Sequence, residues 1–529
     1  MFGCGRFGKT HSFVVWVETH SRLTQRTLPV KFTHSRLLFV CLINSFLVGP
    51  IGTYAALAQT PADRIFTVDQ LRSDFLLMRH ALEEGHPALY RYQARDSANR
   101  AFDVIAAQLN RPMTESEFRR VIHPAITRIG CGHTSLEYSK PFAKWRKRHL
   151  TKPLPVTTFL AADNRLFITA NNSTSAVAAP GSEILQINGQ PVWVIQEQIY
   201  SHVSSDGYNE TFKRLVANIR FDRYYRYVTG YEGDSLAVTL RDSFGNTHNA
   251  LLRLKPAKKL KKDTTATPKP GQKLTKTAKV PKPKKRALTF SDRDSSVAVL
   301  TLNTFSGGGQ NRFFRRSFRD LTQKPRIKTL VLDLRVNGGG SSDACIRLLR
   351  YLIAHPFQAY VEGDAPVRNV SFDKYVNQKF DRFIGRVFLT TKTPAGTYRR
   401  KGVGKVYKPI TSTGFRGRIL VLTSGNTFSA AAIVSSLLQQ KERGRTTFIG
   451  RETGGGRYGC SAFVTPFLRL PETGVNLRFP LYKISLPVPG TDEGRGVMPD
   501  FPVQYTIRQV LAGKDLDLEK ALELAKSPN

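Results

Sequence analysis

Thr329-Leu-Val-Leu-Asp-Leu-Arg-Val-Asn-Gly-Gly-Gly340 is the stretch on which the fold turns. Its first half is an almost unbroken apolar run of strand length, the mark of a strand covered on both faces. Its second half is a glycine loop, whose amides can turn toward a ligand because glycine tolerates φ > 0. A helical pattern follows from Ala344 to Ile353. The arrangement recurs downstream: Arg418-Ile-Leu-Val-Leu-Thr423 reads as a buried strand, and Ser429 opens an apolar helix to Glu442. Val297-Ala-Val-Leu-Thr-Leu302, a helix from Phe313 to Leu321, and Thr447-Phe-Ile-Gly complete the series. Buried strands alternating with helices predict an α/β fold with both sheet faces covered. Ligands gather at the C-terminal ends of such strands, where the glycine loop and Ser429 both lie.

Upstream, the pattern changes twice. From Thr67 to about Phe118, apolar residues recur at helical spacing (Leu71, Phe75, Met78, Leu82), and Thr114-Glu-Ser-Glu117 reads as a capping box opening a further helix through Ile126. Gly85-His86-Pro87 breaks the first helix. From Pro153 to Leu254 short alternating runs predict strands, with Asn188-Gly189 as a hairpin turn between two of them and a Tyr- and Arg-rich helical stretch from Tyr200 to Tyr231. The expected division is 1–58 leader, 59–150 helical N-terminal domain, 151–255 β domain, 256–287 basic linker, and 288–529 core with a C-terminal helix.

The formal net charge of +40 on 529 residues is concentrated. Lys255 to Arg286 holds twelve Lys, one Arg and one Asp, with five prolines and almost no large apolar residue. Such a run cannot bury enough surface to fold, which predicts a solvated linker suited to polyanion or membrane-surface contact, with no specific nucleic-acid partner. Before it, a basic stretch ends at Arg36, a nearly uncharged apolar run follows, and Ala56-Leu57-Ala58 closes it as a small-x-small cleavage pattern. An exported protein, periplasmic or extracellular after cleavage, is expected; an uncleaved anchor is the alternative. Of five cysteines, Cys4 and Cys41 fall in the leader, and Cys131, Cys345 and Cys460 form neither a disulfide framework nor a CxxC metal pattern. No metal or cofactor is expected.

Four short stretches supply the parts for serine-type acyl transfer. Ser429, at a strand-to-helix turn, is a candidate nucleophile or an N-cap. The amides around Gly338, Gly339 and Gly340, with that of Ala430, suit an oxyanion, or form a tight turn. His133, after Gly132, is a candidate base. His86 and His123, each followed by proline, compete with it and read as structural. Glu493, in Glu493-Gly-Arg-Gly-Val-Met-Pro-Asp500, is a candidate to orient the imidazole, with Asp492 able to do the same. Asp500 reads as a turn anchor.

Together these segments resemble the tail-specific, or C-terminal processing, peptidases (peptidase family S41). The matching stretches are Leu330 to Gly340, Gly425-Asn-Thr-Phe-Ser429, Gly450 through Gly456, and Gly494 through Asp500, with Gly181 to Val192 similar to the family's PDZ-type domain and Gly132-His133-Thr134 to its Asp-Gly-His-Thr motif. The resemblance implies a ClpP/crotonase-like core, a helical N-terminal domain, a PDZ-like β domain, and protein or peptide substrates. The lysine of the Ser/Lys branch is missing: Glu452-Thr-Gly-Gly-Gly-Arg-Tyr holds Arg457 instead, and a guanidinium does not deprotonate. The chain therefore looks like the tricorn-type branch, which implies a Ser429, His133 and Glu493 arrangement. Cys131 and Ala432 depart from the family pattern, where aspartate and glutamate are usual. Those departures motivate the alternative of an inactive peptide- or apolar-ligand-binding protein on the same scaffold.

Overall fold

The computed structural model describes residues 60–149, 153–256, 284–290, 296–377 and 390–526. The expected leader and residues 257–283 of the basic segment lie outside the described residues.

The core is a six-stranded sheet in the order Arg286–Phe290, Val297–Leu302, Thr329–Asp333, Arg418–Thr423, Thr446–Gly450, Phe501–Pro502. The first pair is antiparallel and the rest are parallel. Arg286–Phe290 pairs in full with Val297–Leu302, so the last residues of the expected linker already belong to the sheet. Every residue of Thr329–Asp333 is buried, as its apolar run predicts. Side chains alternate across the strand. Leu330 and Leu332 face a core with Leu348 and Leu349 of helix Ser342–Leu352 and Val434 and Leu437 of helix Ala430–Lys441. Val331, Leu420, Leu422 and Ile449 face the other way, onto Ala521 of the C-terminal helix Leu516–Lys526. A sheet with two covered faces has no room for polar residues in its central strands, which is why these strands read as continuous apolar runs.

The N-terminal helices Val68–Gly85, Arg95–Gln108 and Glu115–Thr127 form where expected. Thr114 caps the third in a full capping box with Glu117, whose carboxylate accepts from the Thr114 amide at 2.9 Å. They do not pack alone. Their apolar faces share one core with Phe372, Leu468, Leu477 and Phe479, far along the chain. Ser135–Glu137 is an edge strand beside Asn476–Arg478, itself paired with Phe467–Arg469. This pairing brings the segment just after His133 against Arg478.

Residues 153–256 build an antiparallel sheet in the order Val156–Leu160, Leu166–Asn171, Glu183–Ile187, Ser235–Arg241, Thr247–Arg253 over its own apolar core. Asn188 and Gly189 both take positive φ (49° and 78°), as a tight hairpin turn requires. The strand expected after that turn is two residues, Gln190–Pro191; a helix begins at Val192 because Ile195 and Ile199 find the core at helical spacing. No helix among the described residues is long and apolar enough to cross a membrane.

Candidate active site

Two loops leave neighbouring parallel strands at the same sheet edge and are bonded to each other. Ser424 Oγ donates to the Arg335 carbonyl at 2.5 Å, Thr427 Oγ1 to that of Leu334 at 2.9 Å, and the Phe428 amide to that of Asn337 at 3.1 Å. The glycine loop and the turn before Ser429 therefore hold one geometry.

Ser429 sits at φ 53° and ψ −122°, a conformation that non-glycine residues avoid. Such a strained strand-to-helix turn lifts a serine hydroxyl out over the sheet edge. Ser429 occupies the N-cap position of Ala430–Lys441, yet its side chain makes no capping hydrogen bond. Its Oγ instead lies 3.1 Å from His133 Nε2. The cap alternative for Ser429 thus fails on geometry. His133 rests on the ring of Phe428, with centroids 4.8 Å apart.

Burial, with the Arg478 charge acting in the same sense, lowers the His133 imidazole to a pKa of about 4. The ring is therefore neutral near pH 7 and able to accept a proton. His86 is a separate matter: it is buried, accepts from the Ala88 amide at Nδ1 (3.1 Å), and meets Thr134 Oγ1 through Nε2 at 2.8 Å. His123 is buried against Tyr227. Both are structural, as their sequence context suggests.

The glycine loop divides its labour. Gly339, at φ 98°, lies directly on Ser429: an added Cβ would stand 2.8 Å from Ser429 Cβ. Its amide is already committed to Asn337 Oδ1 at 2.9 Å. Gly339 therefore meets Ser429 by its smallness, and its amide, expected to face an oxyanion, is turned to Asn337 instead. The amides of Gly338, Gly340 and Ala430 have no acceptor among the described residues. All three residues line a cavity of about 830 Å³ with His133 and Ser429. Phe212, Phe463, Ile433 and Ile484 give that cavity apolar walls, and Arg478 and Arg400 give it positive charge.

Glu493 does not reach the imidazole. It is exposed, and His133 Nδ1 is buried without a hydrogen-bond partner. The loop conformation explains this. Asp492 is turned to Arg91 and to the Tyr92 hydroxyl (3.1 Å) and accepts from the Gly494 amide at 3.0 Å, which points the next side chain outward. Asp500 anchors a turn, accepting from the Phe448 amide at 2.8 Å.

Two buried acids absent from the sequence assignment stand behind the site. Glu452 accepts from Arg495, from the Gly496 amide (2.8 Å) and from Asn209 Nδ2 (3.1 Å). Asp206 accepts from the Gly132 amide at 2.8 Å and from that of Gly456 at 3.3 Å. Burial raises the Asp206 carboxyl to a pKa of about 6, against the lowering effect of those two amides. One ligand-type atom each of Cys131, His133 and Asp206 lies within 4.8 Å of the others. Burial pushes the Cys131 thiol up to about 12, so it is neither thiolate nor nucleophile. Ser205-Asp206-Gly207, inside the Tyr- and Arg-rich stretch from Tyr200 to Tyr231, was the available signal, a polar turn with no core function of its own. The second departure, Ala432, is a packing position: a Cβ built on Gly455 would stand 2.6 Å from Ala432 Cβ.

Residues 296–503 match the family model described as peptidase family S41. No curated protein sequence matches the chain. Among solved structures, the chain is similar to mature CPAF complexed with lactacystin, at 15% identity, covering 87% of this chain and 98% of that one, with a TM-score of 0.58. It is likewise similar to mature CPAF, at 15% identity, 87% and 97% coverage and a TM-score of 0.57. The photosystem II D1 C-terminal processing protease matches at 15% identity, covering 86% of this chain and 97% of that one, with a TM-score of 0.38.

Proposed function

We propose that this chain, whose residues 296–503 match the model of peptidase family S41, is a serine peptidase that cleaves protein or peptide substrates with Ser429 as nucleophile and His133 as base. The observation that carries this reading is the 3.1 Å approach of His133 Nε2 to the Oγ of a strained, uncapped serine. Ser429 Oγ attacks the scissile carbonyl while its proton passes to His133 Nε2. Charge on the former carbonyl oxygen is met by the free amides of Ala430 and Gly338, fixed before reaction begins. His133 then returns the proton to the leaving amine. Water repeats the sequence on the acyl-enzyme and releases Ser429.

A neutral imidazole and an ordered nucleophile argue against the inactive-scaffold alternative. The test is covalent labelling by a fluorophosphonate together with peptide turnover. Wild-type protein should label and Ser429→Ala should neither label nor cleave above about one part in a thousand of wild type. Cleavage by Ser429→Ala at the wild-type rate would remove the assignment.

The finer architecture follows the same reading. The core is ClpP/crotonase-like, residues 151–255 act as a PDZ-like domain that binds a peptide terminus by strand addition, and residues 1–58 are a leader removed before Gln59 on export. The basic segment meets polyanions or a membrane surface.

A further inference from the structure

Resting on the Ser429–His133 reading above, we propose that Asp206 is the acid that positions His133, in the place that the sequence assigned to Glu493. When Ser429 gives up its proton, His133 becomes a cation. It does so in a covered site beside Arg478, whose charge opposes the change. A site of that kind works only with a compensating negative charge held nearby. Glu493 is exposed and Asp492 is engaged by Arg91 and Tyr92. Asp206 is buried, and one of its carboxylate oxygens lies within 4.8 Å of a His133 ring nitrogen. The remaining His133 nitrogen, Nδ1, is buried and unpartnered. Catalytic hydrogen bonds in an unliganded site are often long and tighten when substrate is bound.

The bonding of Asp206 suits it to this role. One oxygen takes the amide of Gly132, the residue before the base. The other takes the amide of Gly456, in the loop whose Gly455 lies against the nucleophile: a Cβ on Gly455 would stand 2.9 Å from the Ser429 amide nitrogen. A single carboxylate thus fixes the base loop relative to the nucleophile loop. The turn that carries it is itself pinned. The Gly207 amide donates to the Gly130 carbonyl at 2.8 Å and the Tyr208 amide to the Gly494 carbonyl at 2.8 Å. A Cβ on Gly207, at φ 56°, would stand 2.5 Å from Gly494 Cα, so the approach requires glycine. The other charged or titratable groups facing Asp206 are Arg91, Tyr92, Asp492, and the Cys131 and Cys460 thiols. None of these donates to or accepts from His133 Nδ1.

The test compares Asp206→Asn and Glu493→Gln in the full chain, by peptide kcat and KM, the pH profile of kcat/KM, and thermal melting. For Asp206→Asn we expect kcat to fall on the order of 100-fold or more with KM changed less than about threefold, and the acid limb of the profile to move. Glu493→Gln should keep wild-type kcat. A folded Asp206→Asn protein with wild-type kcat and profile overturns the inference. So does a Glu493→Gln protein of normal stability whose kcat drops on the order of 100-fold, and this second arm decides the matter if Asp206→Asn does not fold. Wild-type protein that fails to label at Ser429 would instead sink the nucleophile assignment, so the two failures are distinguishable.

Discussion

At the scale of single residues, the site depends on groups whose size or conformation leaves no latitude. Gly339 is the clearest case. It combines φ 98° with contact against Ser429 Cβ. Gly339→Ala should cost about 1–3 kcal/mol in backbone strain and displace the nucleophile. The expected result is a folded protein with a modestly lowered melting temperature and no fluorophosphonate labelling; normal labelling would mean that the loop yields. His133 and Asp206 set the pH response. With the Asp206 carboxyl raised to about 6 and the imidazole lowered to about 4, kcat/KM should begin to fall as pH drops through about 6, where Asp206 takes a proton, and fall further toward 4, where His133 does. Ser429 and His133 were legible as candidates because each sits in a short motif with an immediate local reason. Glu493 was equally conspicuous, but its motif turned out to serve Glu452: Arg495 and Gly496 bind that buried acid, and Glu493 faces solvent.

At the scale of elements, strand and helix assignments in the core agree with the chain to within a residue or a few at each end. Val297–Leu302 and Arg418–Thr423 have the expected bounds. Their apolar runs leave only one environment in which they are stable, the middle of a covered sheet. The strand expected after Asn188-Gly189 was shortened because tertiary burial of Ile195 and Ile199 favours a helix there. The C-terminal helix illustrates how an element far from the site supports it. Its Asp517 is buried, pairs with Arg335 at 3.2 Å, and accepts from the Tyr505 hydroxyl at 3.0 Å. Arg335 in turn leads into the glycine loop. Asp517→Ala should destabilise the fold by about 2–3 kcal/mol, less than a fully buried pair would because Arg335 keeps Asp333 and Asp515. Denaturant unfolding at constant m-value checks this; a loss within about 0.5 kcal/mol would mean that the network is redundant.

At the scale of the whole molecule, the buried histidines tie stability to pH. His86 has its folded pKa lowered from 6.5 to about 3 by burial, and His123 is lowered well below 6.5 for the same reason. Above pH 6.5 both folded and unfolded chains carry these rings neutral, and the fold keeps its full stability. Below 6.5 the unfolded chain takes protons that the fold refuses, so each ring withdraws about 1.4 kcal/mol per pH unit until its folded pKa is reached. Asp206 acts in the opposite sense: with its folded pKa raised from 3.8 to about 6, its contribution is full below 3.8 and lost as pH rises through 6. His86→Gln isolates one ring. The slope of its unfolding free energy against pH should be shallower than wild type by about 1.4 kcal/mol per pH unit between pH 6.5 and 3. Parallel slopes in the two proteins would show that His86 titrates in the fold.

The sequence by itself determined the α/β core, the glycine loop and the serine at strand ends, and the histidine as candidate base, because each depends on periodicity or turn chemistry within a dozen residues. Tertiary structure alone decided which acid stands behind the histidine. Asp206 reaches Gly132 across 74 positions and Gly456 across 250. Its burial is created by the meeting of the N-terminal helices, the antiparallel sheet and the core, and none of the three encodes that meeting locally.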